Sequence, residues 1–268
     1  MPFAEVAGQR IEYEWIGPPV GDAPCIVMLH EGLGSVSMWR DFPAAVAQAT
    51  GLSVLVYSRL GYGKSDPLTD TSLPVRYIHD DATTALPGFL KALDIRQPIL
   101  FGHSDGASIA LIYSGSGIDP APLGVIAMSP HVFVEPICTV SIAKARVAYE
   151  ESDLRQRLAR HHENVDSAFY GWNLAWLLPA FKDWNIEEYL PRIECPVFVI
   201  QGTDDEYGTM KQVEAIERQA GAGAEHVLLT ECGHSPQRDP REATLVAAAG
   251  FIGRIVSGEM SLGKGMNQ

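Results

Sequence analysis

Apolar residues fall along this chain in short blocks, separated by longer stretches with a helical rhythm. Residues 3–7 and 9–16 read as two strands joined at Gly8, with Ile11, Tyr13 and Trp15 at alternate positions on one face. Six further runs rich in Val, Ile and Leu follow: 25–29, 52–57, 99–101, 125–128, 197–200 and 226–229. They are apolar on both faces, as strands buried between two layers of helix must be. The stretches 39–49, 77–93, 107–113 and 213–220 carry apolar residues at helical spacing. A hairpin followed by strand–helix repeats predicts an α/β fold with a mostly parallel, eight-stranded sheet and helices on both faces.

One segment breaks this rhythm. Residues 133–188 hold no strand pattern but show helical runs at 141–149, 153–161 and 168–177, with Trp172, Trp176 and Trp184. They read as a helical insertion between two strands. The remaining residues, 1–132 and 189–256, would form the core. Residues 257–268 are small and polar, and are expected to fray.

Composition narrows the classes. The chain has 268 residues, 46% hydrophobic and 20% charged. This is a globular mix, so disorder and fibrous folds are excluded. A net charge of −13 repels phosphate backbones and argues against nucleic acid and anionic membranes as partners. No apolar run is long enough to span a bilayer, and residues 1–6 do not read as a secretory leader, so a cytoplasmic location is expected. Cys25, Cys138, Cys195 and Cys232 form no C-x-x-C pattern and read as buried thiols.

The sharpest chemical signal is Gly102-His103-Ser104-Asp105-Gly106, placed between a strand and a helical run. A serine on such a turn is lifted above the sheet edge, and flanking glycines leave the backbone room to turn. The helix start behind it favours developing negative charge. A serine nucleophile needs a base. Of the eight histidines, His234 alone sits in a loop just past the last strand. Ligands meet parallel sheets at such carboxyl ends. The base needs an anion, and Asp204, Asp205 and Glu206 compete for that role after the strand at 197–201. The chain order is Ser, acid, His.

With these motifs the chain resembles the α/β-hydrolase family over residues 3–256. The resemblance selects Asp205, three residues after Gly202, with Asp204 as runner-up. It implies that the inserted segment 133–188 is a helical cap over the active site. The backbone N–H of Asp105 would serve as one oxyanion donor. The other would come from His30-Glu31-Gly32-Leu33-Gly34, by position Gly32, or Leu33 if the loop has shifted. The sequence departs from the family at Glu31, where a glycine is expected, and at Ser58, where an aspartate is usual.

Other chemistries fit poorly. The stretch 58–65 imitates a phosphate-binding loop, but Ser58 stands where glycine is required and Asp66-Pro67 turns the chain away from helix. His161, His162 and Glu163 read as solvated surface, as do Arg155, Arg157 and Arg160. No metal and no cofactor is expected. Glu31, Leu33, His131, Trp172 and Trp176 are the candidate pocket residues. Glu31 and Asp105 flank the oxyanion region and would disfavour anionic acyl groups, unless both side chains turn away to local partners.

The expected activity is that of a serine hydrolase on a small-to-medium carboxylic ester, with a small acyl compound as partner and no cofactor. A homodimer is compatible with this reading. A lactonase or a C–C bond hydrolase of aromatic degradation would use the same residues. A non-catalytic receptor on the same scaffold is the alternative of another class.

Overall fold

The computed structural model describes residues 2–18 and 23–260. Its strands are β1 (Phe3–Val6), β2 (Gln9–Ile16), β3 (Cys25–Leu29), β4 (Ser53–Tyr57), β5 (Pro98–His103), β6 (Gly124–Met128), β7 (Val197–Gly202) and β8 (Ala224–Leu229). They lie side by side in the order β1-β2-β4-β3-β5-β6-β7-β8. The pairs β1–β2 and β2–β4 are antiparallel, and every later pair is parallel. The eight-stranded α/β sheet is thus the one the apolar blocks predict.

Helices α1 (Phe42–Thr50), α2 (Tyr77–Asp80), α3 (Leu86–Ala92), α4 (Asp105–Gly115), α5 (Pro136–Glu151), α6 (Leu154–Leu158), α7 (Val165–Trp176), α8 (Met210–Gln219) and α9 (Arg241–Val256) cover it. Helices α1 and α9 bury Phe42, Val46, Phe251 and Ile252 against Ile26, Phe101 and Ile126 on one face. The other face packs Leu55, Leu100 and Val125 against α4, α8 and the inserted segment. Each side-chain layer excludes water from apolar surface, which is the main drive for this stacking.

The structure corrects several local expectations. The run 39–49 is split into a 3-10 turn (Val36–Trp39) and α1, with Arg40 at a left-handed φ of 55° between them. Pro43 lies in the first turn of α1, where its fixed φ and missing N–H are tolerated. The run 77–93 contains a π turn (Asp81–Ala85) ahead of Pro87, which brings no N–H to continue an α ladder. Strand β8 is not apolar on both faces: it is an edge strand, and Leu228 is exposed.

Between β6 and β7 the chain is helical, as expected, but α5 starts at Pro136 rather than near residue 141. An isolated antiparallel bridge joins Phe133 to Asn185, where no strand pairing was foreseen. Of the expected frayed tail, residues 261–268 lie outside the described residues. All four cysteines are buried and free. No described helix is long and apolar enough to cross a membrane.

Candidate active site

Ser104 sits between β5 and α4, with φ 53° and ψ −117°. A non-glycine residue in this region is strained, and the surrounding turn must hold it there. The neighbouring glycines show why. A Cβ on Gly102 would lie 2.2 Å from the Gly106 carbonyl oxygen, and one on Gly106 would lie 2.1 Å from that of Leu29. Gly102 is closed off by the start of α4 and Gly106 by the end of β3, so neither position accepts a side chain. The Ser104 amide donates to the Met128 carbonyl (2.9 Å), anchoring the turn to β6.

The serine hydroxyl donates to Nε2 of His234 at 2.9 Å, and Nδ1 of His234 lies 2.9 Å from both carboxylate oxygens of Asp205. This pattern requires the Nδ1–H tautomer, with Nε2 free to accept. The loops after β5, β7 and β8 meet at the carboxyl edge of the sheet to form the chain. Asp205 also accepts from the Tyr207 and Gly208 amides (2.8 and 3.2 Å) and from Nε2 of Gln201 (2.9 Å). Burial alone would raise its pKa, but His234 and these donors hold it well below the ordinary carboxylate range. Burial likewise opposes charge on His234, yet Asp205 and then Glu206 raise its pKa above the ordinary value. Asp204, the other candidate acid, is exposed and does not reach the imidazole.

His103 stands inside the motif but is not part of this relay. It is buried, donates Nε2–H to the His234 carbonyl (2.6 Å), and so fixes the loop that carries the imidazole. The His234 amide donates to Glu206 (3.2 Å).

A cavity of about 220 Å³ opens over Ser104, lined by Gly32, Leu33, His131, Cys138, Trp172 and Trp176 among others. The structure therefore brings the predicted pocket residues together, Glu31 included. His131 is buried, with its ring 5.3 Å from that of Trp176. Burial, then the nearby His234, lower its pKa to about 3, so it is neutral at ordinary pH. A Cβ on Gly32 would overlap the Trp172 indole, so the helical insert rests directly on the loop after β3. The Asp105 amide is in the first turn of α4, where N–H groups lack intrahelical partners.

Of the two readings of the acids beside the oxyanion region, the structure shows side chains turned to protein partners, though to side chains rather than to local backbone. The Asp105 side chain is 1% exposed; it accepts from Tyr77 Oη (2.7 Å) and Trp176 Nε1 (3.2 Å), and lies 3.7 Å from Arg59. It is turned into the protein rather than toward an acyl group. Glu31 reaches within 3.4 Å of His103 and 3.7 Å of Arg238, and its pKa is lowered despite burial.

The burial of His162 and the partner of Ser58 were not read from sequence. His162 is buried, not solvated: it accepts from the Gly63 amide (3.0 Å) and donates to the Leu33 carbonyl (3.0 Å), joining the insert to the loops beneath it. Its neighbour His161 meets Ser37 instead (2.8 Å). Where an aspartate was expected, Ser58 donates to Glu12 of β2 (2.7 Å), and the same Glu12 oxygen accepts from the Lys64 amide. The carboxylate comes from a distant strand, which local sequence could not show. The turn 58–65 packs on the sheet and opens no helix, unlike a phosphate-binding loop. Arg155 and Arg157 pair with Asp166 and Asp153 on the exposed side of the insert. Among the described residues, no cluster of three His, Cys, Asp or Glu side chains is placed to hold a metal ion.

Residues 26–247 match the alpha/beta hydrolase family, and the chain belongs to it. A proline iminopeptidase of Saccharolobus solfataricus is 24% identical over 271 residues, covering 87% of this chain and 86% of that protein. Among solved structures, the enol-lactonase from Burkholderia xenovorans LB400 superposes with a TM-score of 0.74 at 22% identity, covering 94% of this chain and 99% of that one. A carboxylesterase structure from Nitrososphaera gargenis gives a TM-score of 0.75 at 17% identity, over 96% and 99% of the two chains. At these identities the structural likeness carries the fold alone.

Proposed function

We propose that the protein is a serine hydrolase that cleaves a small-to-medium, fairly apolar carboxylic ester through an acyl-enzyme, with Ser104 as nucleophile, His234 as base and Asp205 as its orienting acid. The observation that carries this reading is the 2.9 Å contact from a strained serine to an imidazole backed by a buried carboxylate, beneath a cavity. Ser104 Oγ attacks the acyl carbon while His234 Nε2 takes its proton. The amides of Gly32 and Asp105 receive the oxyanion. As the tetrahedral centre collapses, His234 protonates the leaving alkoxide. Water, deprotonated by the same imidazole, then attacks the acyl carbon and Ser104 leaves with its proton restored. Asp205 stays ionised throughout and steadies the imidazolium.

The cavity favours a small acyl group, since about 220 Å³ is below the roughly 300–1,000 Å³ of drug-sized sites. Its wall combines an apolar side (Leu33, Met38, Cys138, Ile142, Leu158 and the two tryptophans) with the polar catalytic residues and their neighbours. The helical insert 133–188 would act as the cap that sets acyl choice. An aminopeptidase reading has less support. Each carboxylate at the cavity already has a partner: Asp105 has Tyr77 and Trp176, Glu31 has His103 and Arg238, and Glu206 has the His234 amide. Asp105 and Glu31 are thus committed to protein partners, and only the exposed Glu206, with one contact from the His234 amide, keeps acceptor capacity for a substrate amine.

The test is a panel of nitrophenyl esters of neutral, cationic and anionic acids, with lactones, dienones and proline anilides beside them and Ser104→Ala as control. Sustained turnover of neutral esters, lost in the variant, supports the proposal. A burst without turnover would favour the receptor alternative. Equal rates in the variant would remove Ser104 from the chemistry.

A further inference from the structure

Arg59 is a buried cation that the mechanism above does not use. It is 3% exposed. Its guanidinium donates Nη1–H to Asp81 (2.9 Å) and Nη2–H to the Glu31 carbonyl (3.1 Å), with Nη2 3.7 Å from Asp105 Oδ2. Its own amide donates to Nε2 of His30 (3.0 Å). That leaves His30 as the Nδ1–H tautomer, and Nδ1 donates to the same Glu31 carbonyl (2.6 Å). The Gly34 amide adds a third donor (3.0 Å).

The Glu31 carbonyl and the Gly32 N–H are the two ends of one planar trans peptide, so they point in opposite directions. Fixing the carbonyl with three donors, two of which trace to Arg59, aims the Gly32 N–H. On the other side of the serine, Asp105 supplies the second amide while its carboxylate is packed in a water-poor site beside it. A bare carboxylate there would repel the negative charge that builds on the acyl oxygen. Tyr77, Trp176 and Arg59 surround it instead.

We infer that Arg59 is a positioning residue for the oxyanion site: it orients the Glu31–Gly32 peptide and compensates the Asp105 carboxylate, so that both donors face an uncontested space. The inference rests on the serine-hydrolase reading and deepens it. Arg59 does not touch the substrate.

The experiment compares Arg59→Met, Asp105→Asn and the double variant on a neutral nitrophenyl ester, with active serine counted by fluorophosphonate titration. Per titrated serine, Arg59→Met should lower kcat about 10- to 100-fold with KM changed less than about threefold. Adding Asp105→Asn should recover a good part of that loss, because the uncompensated charge is gone. A merely structural role would lower the titrated fraction and leave kcat per serine intact, and that result overturns the inference, as does absence of recovery. If Arg59→Met does not accumulate folded, Arg59→Lys takes its place. It keeps the charge but not the fork, so a several-fold fall in kcat at steady KM supports the role and an unchanged kcat overturns it. Failure of wild-type protein to label at Ser104 strikes the hydrolase reading itself and is seen before any Arg59 variant is made.

Discussion

The ring of His131 lies 5.6 Å from the ring of His234, tilted by 33°, yet the two are driven toward opposite charge states. Burial lowers the His131 pKa to about 3, while Asp205 raises that of His234 against burial. As the base, His234 must be neutral to accept a proton. The kcat/KM profile for an ester should therefore rise with pH through a midpoint above 6.5, the ordinary histidine value. A midpoint at or below that value would contradict the arrangement.

The same shifts act on folding stability, with different signs. The raised pKa of His234 contributes stability that is fully present below about 6.5 and is lost as pH rises through its folded value. The depressed pKa of His131 contributes stability that is present above about 6.5 and is lost as pH falls toward about 3. Replacing His131 by Asn should thus flatten the decline of Tm between pH 6.5 and 3. Parallel Tm curves for the two proteins would show that His131 is not held neutral.

The two adjacent aspartates separate cleanly. Asp205→Asn should cut kcat by on the order of 10⁴, since it disturbs the tautomer that leaves Nε2 free to accept. Asp204→Asn should stay near wild type because the side chain is exposed and distant from the imidazole. Ester turnover at matched active-serine content decides between them, and reversal of the order would move the acid to Asp204.

Gly106→Ala tests the backbone contact beneath the serine. The added methyl would meet the Leu29 carbonyl oxygen at 2.1 Å, and backbone on both sides leaves little room to relax. A loss of roughly 1–3 kcal/mol or more is expected by urea unfolding. An alanine variant of ordinary stability would mean that the turn is looser than described.

Trp172 limits the cavity on the side of the insert and packs on Gly32. Trp172→Ala should shift kcat/KM toward longer acyl chains across a nitrophenyl ester series. An unchanged chain-length preference would place the acyl group elsewhere.

Much of the architecture was legible because the central strands are uniform. In β3, β4, β5, β6 and β7 every residue is buried, so the run of apolar letters is itself the strand. Strand β8 has one open edge and mixes Glu225 and His226 with its apolar residues, so its length and exposure were misread. The serine, the acid and the imidazole stood in motifs or at strand ends, where local letters carry the signal. The cluster of Arg59, Tyr77, Asp81, Asp105 and Trp176 had no such mark. Its members come from separate elements, and only the fold brings them within hydrogen-bond reach. The buried state of His162 was hidden for the same reason, since Gly63 and Leu33 that satisfy it are remote in sequence.

The pairing of Phe133 with Asn185 is reinforced by the Ile186 amide, which donates to the Val132 carbonyl at 2.8 Å. The outgoing and returning strands of chain are thus laced together at the foot of the helical segment. A swing of that segment about this stalk would first have to break the His162 contacts to Gly63 and Leu33, and would then carry Trp172 and Trp176 away from the serine together.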